Sequence, residues 1–428
     1  MFFGDKMNLV KSIVWAIASS FIVLSGILFT VILRFPQFKI VSIFKGIFNK
    51  EKENGISSLS ALMLTLGGRI GVGSVSGVAL AIYYGGIGSI FWMWFFTIIC
   101  ASNTMAETVL GIIYSRKDNE CRIGGPSYYL EYGLNKKKMG VLYAILILFS
   151  YIGGFLSIQT NTIITYIKNI TSFNYIIISI MLIIVISVII FGGIIRISKF
   201  LNKIVPFMTL FYLFLAFVVA LKNMDKIPII FLNIIKSAFS FKPFFSGFLV
   251  QLIIGLQRGI FSNESGVGTS VIASSTVNSN DYKRQGYIQI LGVYITTLLI
   301  CTSTAIIILC SNYNVSVESL NGIEIVEQAF KYHFDHYGNI FLFFFVFLFS
   351  LSTILTGYYY GESSFKYLIK TTKKSILFLK IVTLVVLFLG CIIKANVLWN
   401  IVDILVGLLC IINIYALLKL KDVVKNDT

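Results

Sequence analysis

Of the chain's 428 residues, 57% are apolar and only 12% charged. That is about half the charged share of ordinary soluble domains, so no single aqueous globule can hide its apolar surface. The formal charge of +17 raises nucleic acid as a partner, but in a chain this apolar the basic residues more often mark cytoplasmic loops of a membrane protein.

A spanning helix needs about 20 mostly apolar residues, because the hydrocarbon layer is about 30 Å thick and each residue rises about 1.5 Å. Eleven runs qualify, near 12–34, 57–84, 87–114, 139–167, 174–195, 204–221, 245–277, 287–310, 338–360, 375–393 and 397–418. They predict an all-α polytopic membrane protein forming one transmembrane domain over 1–428. The first run is too long for a signal-peptide core, and no small-residue cleavage pattern precedes Arg34 and Pro36, so it is expected to be a retained helix.

The second run carries Gly67, Gly68, Gly71, Gly73 and Gly77 at its middle, and the seventh carries Gly255, Gly259, Gly266 and Gly268. Glycine at that density disfavours continuous helix. Each segment also holds one arginine, Arg69 or Arg258, near membrane mid-depth. Unpaired backbone in lipid costs several kcal/mol per group, so unwinding there is tolerated only beside protein or a cavity. The alternative for either segment alone is glycine for tight helix packing plus a structural salt bridge.

With the first helix set aside as an addition, the remainder divides into five plus five (57–195 with 204–221, then 245–418), and a broken helix opens each half. Five is odd, so the halves are inverted, the pattern of transporters built from inverted repeats. Half-helix N-termini then offer N–H groups to an anion, and unwound carbonyls can bind a small cation.

The charges orient the chain. Of 35 Lys and Arg, 23 fall in loops 34–56, 115–138, 194–203, 278–286 and 361–374 with the tail from 419, against nine on the other side. The N-terminus is therefore expected outside and the C-terminus in the cytoplasm of a cell (inner) membrane. Five of six cysteines sit inside apolar runs, and no disulfide framework or metal spacing is visible. His333 and His336 fall in the one acidic outside loop, which reads as a solvated amphipathic helix. Gly71-x-Gly73 lacks the third glycine and the flanking strand of a dinucleotide loop, and no phosphate loop or channel filter is present.

Further along, Gly85-Gly86-Ile87-Gly88-Ser89-Ile90-Phe91-Trp92-Met93-Trp94 continues to Glu107. It is followed by Gly124-Gly125-Pro126-Ser127-Tyr128-Tyr129, by Arg258-Gly259-Ile260-Phe261-Ser262-Asn263-Glu264-Ser265-Gly266, and by Ser352-Thr353-Ile354-Leu355 with Tyr358-Tyr359-Tyr360-Gly361-Glu362. At these residues the chain resembles the alanine or glycine:cation symporter family, whose fold is similar to that of neurotransmitter:sodium symporters with one extra N-terminal helix. It departs from the family at Cys100, where glycine is usual.

The resemblance implies a sodium site made of carbonyls from Gly67, Ile70 and Phe349 with hydroxyls from Ser352 and Thr353. A hard monovalent cation independently favours such neutral oxygens. Local bonding of the two hydroxyls to backbone is the alternative. It further implies that a substrate carboxylate meets N–H groups around Gly71, Val72, Gly73 and Ser74, and that its ammonium meets carbonyls around Gly255, Gly259 and Ile260, next to Phe261. Gln159 matches a pocket-lining position, or is interhelical glue. Arg69 and Arg258 are expected to pair with substrate or with Glu107 or Glu264, and structural or gating ion pairs are favoured.

Around this pocket the family commonly has Thr at Val72, Asn at Ser74, an aromatic at Leu156 and Trp at Gly357. The exchanges imply more room than alanine needs. The resemblance therefore implies a sodium-coupled importer of a small neutral amino acid such as alanine or glycine, with glutamine the alternative and a non-transporting amino-acid sensor the rival of another class. Proton coupling stays open. No covalent chemistry is involved, so the chain is expected not to be an enzyme; its partners are the amino acid, sodium and the bilayer, with no nucleic acid and no obligate protein.

Overall fold

The computed structural model describes residues 2–48, 56–118, 121–171, 173–240, 245–279, 281–312, 322–393 and 395–428. Helix accounts for 85% of the structure. The apolar runs become α1 (Phe2–Ile32), α2 (Ser58–Arg69), α3 (Val72–Gly85), α4 (Ser89–Ile113), α5 (Lys137–Ile170), α6 (Tyr175–Ile190), α7 (Gly193–Lys222), α8 (Phe245–Asn263), α9 (Thr269–Ser274), α10 (Tyr282–Leu309), α11 (Gly338–Leu368), α12 (Lys373–Gly390) and α13 (Ala395–Lys419). Among the described residues the strand content is a two-residue antiparallel ribbon, Arg116–Lys117 against Arg122–Ile123.

Each expected run is largely helical, two of them with a break, but the count of eleven spans is not established. Among the described residues seven helices are long and apolar enough to cross a membrane, and the bent pair α2–α3 makes an eighth. The runs at 174–195, 245–277 and 375–393 fall short. Helix α6 has 16 residues, the run containing α8 breaks after Asn263, and α12 carries Lys373, Lys374 and Lys380. The stretch 194–203, expected as a loop, is the first part of α7, which begins at Gly193 and continues through Pro206. Proline inside a helix removes one hydrogen bond, a loss that neighbouring helices compensate in spanning segments.

Apolar side chains cover the outside of the bundle. Leu24, Val188, Leu210 and Phe378 are all more than half exposed, as suits a surface solvated by lipid tails. Polar groups lie inside, including Arg69, Glu107, Gln159, Glu264 and Asp403. Helix α1 packs along α13 and α4, α8 lies between α3 and α4, and α11 crosses both α2 and α5. That crossing brings the middle of α11 against the end of α2. The helix Ile323–Phe334 is amphipathic as expected, yet its His333 is buried, with a ring nitrogen 2.9 Å from the Ile307 carbonyl, so only one side of it meets solvent.

Candidate functional site

Helix α2 stops at Arg69, α3 restarts at Val72, and the two axes meet at 41°. Ile70 and Gly71 leave helical geometry, which frees the preceding carbonyls. Helix α11 answers them with hydroxyls. Thr353 Oγ1 donates toward the carbonyls of Gly67 at 3.1 Å and of Gly68 and Ile70 at 3.4 Å. Ser352 Oγ lies 3.4 Å from Ile70 O and 2.9 Å from Phe349 O of its own helix. Ser352 therefore bonds locally and also reaches across to the first break, while Thr353 reaches only across.

The three carbonyls and two hydroxyls singled out in the sequence thus converge at one buried point. Neutral oxygens and a single-charge cation fit each other there, since no carboxylate takes part to tighten the grip or favour a divalent ion.

Beside this point Val72 N–H donates to Gln159 Oε1 at 3.1 Å, and the Ser74 hydroxyl returns to Arg69 O at 3.2 Å. Gln159 therefore links α5 to α3 by an interhelical hydrogen bond, as the glue alternative expects, and caps the restarted helix at the same time. Gly71 is required for space: a Cβ there would overlap the Thr353 hydroxyl and come within 3.3 Å of Gln159 Oε1. The Gly71 and Gly73 N–H groups meet no acceptor among the described residues, and they point where a helix N-terminus favours negative charge.

The second break lies elsewhere than expected. Helix α8 runs unbroken through Gly255, Gly259, Ile260 and Phe261, and the chain leaves helical geometry only at Glu264–Gly268. Glu264, Gly266 and Gly268 there have φ of 57°, 85° and 88°. The upstream glycines serve packing instead: a Cβ on Gly255 would lie 2.6 Å from Ser89 O and Trp92 Cβ of α4. The Ile260 carbonyl is taken by Glu264 N–H at 2.8 Å. Gly255, Gly259 and Ile260 therefore offer no freed carbonyl for an ammonium group. The Phe261 carbonyl, in the last turn of α8, is the one that faces α3, 3.7 Å from a Cβ placed on Gly73.

Side chains hold the unwound loop. Tyr143 OH donates to Val267 O at 2.7 Å, Asn413 Nδ2 to Gly266 O at 3.0 Å, and Tyr151 OH and Tyr360 OH to the Glu264 carboxylate at 2.6 and 3.2 Å. Neither arginine pairs with Glu107 or Glu264. Arg69 donates to Ser270 Oγ on α9 at 3.0 Å and to Gln289 O on α10 at 3.2 Å, tying the two breaks together. Arg258 instead faces Asp403 of α13 at 3.6 Å, and Lys11 of α1 reaches the same oxygen at 3.4 Å. Asp403 went unnoticed in the sequence, although a lone acid inside the run 397–418 was a visible signal.

The room expected at Gly357 is taken. A Cβ there would overlap Leu156 and lie 3.1 Å from the Tyr151 ring. A void of about 10 Å³ remains nearby, between Tyr151, Phe155, Ile260, Phe261, Glu264, Val267 and Val406.

An apolar-clad helical bundle with polar groups inside and two interrupted helices is a multi-pass membrane protein. The chain belongs to the sodium:alanine symporter family, whose sequence model matches residues 2–428. It is 36% identical over 426 residues to the probable sodium/glutamine symporter GlnT of Bacillus subtilis, covering 98% of this chain and 88% of that one. It is 33% identical to the amino-acid carrier protein AlsT of the same organism, covering 99% and 90%. To the sodium/alanine symporter AgcS of Methanococcus maripaludis it is 34% identical over 444 residues, covering 100% and 97%. Sodium-coupled amino-acid symport follows at that level.

Proposed function

We propose that the chain imports a small neutral amino acid, alanine or glycine, with sodium held by the carbonyls of Gly67, Ile70 and Phe349 and the hydroxyls of Ser352 and Thr353. The observation that carries this reading is the single Thr353 oxygen lying 3.1–3.4 Å from three freed carbonyls of the first break. Sodium placed there ties α2 to α11, so that its gradient drives closure of the site. The carboxylate of the substrate takes the N–H groups of Gly71 and Gly73, and its ammonium takes the Phe261 carbonyl opposite, with Val72, Ser74, Gln159, Leu156 and Gly357 setting the walls.

The small side chain is supported by Leu156 and Tyr151 filling the space above Gly357. Glutamine is the second reading, favoured by the name of the GlnT relative and by the ease with which a leucine side chain changes rotamer. The excess of Lys and Arg in the loops supports an N-terminus outside and a C-terminus in the cytoplasm. The chain reads as an extra helix α1 before two inverted halves, opened by α2–α3 and by α8–α9.

Uptake of labelled alanine, glycine and glutamine into proteoliposomes, with and without a sodium gradient, tests the reading. Sodium-driven accumulation of alanine or glycine is expected. Accumulation driven by a pH gradient without sodium overturns the sodium assignment, and binding without exchange of label overturns transport itself in favour of a sensor.

A further inference from the structure

On the face where α1 begins, a cavity of about 590 Å³ lies between α1, α3, α8 and α13. Its inner wall is polar in a region otherwise made of leucine and isoleucine. Lys11 and Arg258 both approach the same carboxylate oxygen of Asp403, at 3.4 and 3.6 Å, so two cations share one anion. Lys11 Nζ also donates to Asn400 Oδ1 at 3.0 Å.

Three groups on this wall are unspent. Arg258 Nη1 and Gln257 Nε2 are buried donors without an acceptor, and neither oxygen of Asp403 accepts a hydrogen bond. Gln257 and Arg258 are only 7% and 8% exposed, and both border the cavity. A net positive wall with two open donors, beside one carboxylate held by ion pairs alone, is the complement of a group that carries a negative and a positive charge side by side.

We propose that this cavity is a capture site for the α-amino-acid zwitterion, distinct from the central site: the carboxylate binds Arg258 and Gln257, the ammonium binds Asp403, and Lys11 balances the charge. Binding exchanges ion pairs and transfers no proton. Arg258, held only loosely to Asp403, turns to the substrate carboxylate while the ammonium takes its place. The site lies on the route inward, because the Arg258 guanidinium sits 5.4 Å from the Phe261 ring centroid and 5.1 Å from that of Trp399, and the Phe261 carbonyl borders the first break. It also gives the added helix α1 a task, since Lys11 belongs to neither half. The inference rests on the transport reading for the identity of the ligand and for the cavity facing outward.

The ion pairs need no sodium, and that separates the two claims. Purified full-length protein in sodium-free detergent is titrated with alanine, glutamine and alaninamide while tryptophan fluorescence is followed. Saturable signals are expected from alanine and glutamine, weaker by about tenfold or more for alaninamide, which lacks the carboxylate. The signal is expected to vanish in Trp399→Phe and to shift about tenfold toward weaker binding in Gln257→Leu, which keeps the side chain's size. In proteoliposomes Gln257→Leu is expected to raise half-saturation for uptake from the Lys11 side and to leave half-saturation from the other side unchanged. A merely structural role would shift both sides or lower the maximal rate alone. A flat titration beside sodium-driven uptake overturns the capture site and leaves the transport reading intact. A saturable titration beside absent sodium-driven uptake does the reverse.

Discussion

The two interruptions are built by opposite means. At the first, two residues leave the helix, and the freed carbonyls are met by hydroxyls from a neighbouring span, Ser352 and Thr353, which leaves a compact nest of neutral oxygens. At the second, five residues leave it, three of them at positive φ, and their polar groups are claimed by Tyr143, Tyr151, Tyr360 and Asn413. The first therefore gathers its oxygens around hydroxyls in the arrangement proposed to hold an ion, and the second spends its groups on the protein itself. Glycine marks unwinding in one case and helix contact in the other, and only the neighbours distinguish them.

The comparison is broken most forcefully at Gly71. A methyl group there meets the Thr353 hydroxyl and Gln159 in a close-packed interior, so Gly71→Ala is expected to abolish sodium-driven uptake while helical content by circular dichroism is retained. Uptake at the normal level would show that the first break does not bind as described. Thr353→Val keeps the shape and removes the shared oxygen. It is expected to raise half-saturating sodium by about tenfold or more, since hydrogen-bonding and ion contacts of this kind carry about 1.5–3 kcal/mol.

Gly255→Ala sharpens the contrast from the other side. Overpacking against Ser89 and Trp92 is expected to cost about 1–3 kcal/mol of stability, read as a lower melting temperature in detergent, with half-saturating sodium unchanged. A sodium shift without a change in melting would move the functional break back to Gly255. The smallest effect belongs to Gly259→Ala: its Cβ meets Met93 at 3.6 Å, an ordinary contact, so neither melting nor sodium dependence should move.

Much of this was legible in the sequence because it depended on local pattern. Apolar length located the helices, and the glycine density of Gly67 through Gly77 pointed to the first break. The meeting of Thr353 with the Gly67 carbonyl, proposed as part of a cation site, was expected only through resemblance: the two lie far apart along the chain, and no periodicity connects them. What failed was tertiary. Gly255 and Gly259 look like a hinge until Trp92 and Met93 of α4 are seen against them. The partners of Arg69 and Arg258 lie 201 and 145 residues further along the chain, at Ser270 and Asp403. The space suggested by Gly357 is absent because Leu156 and Tyr151 move into it, a packing outcome that one substitution read alone does not reveal.

Binding of radiolabelled sodium to the purified chain, compared with a Ser352→Ala/Thr353→Val variant, tests the first break most directly. The account predicts saturable binding to the native protein that disappears in the variant while the circular dichroism spectrum stays the same. A folded variant that binds sodium as tightly as the native chain would contradict it.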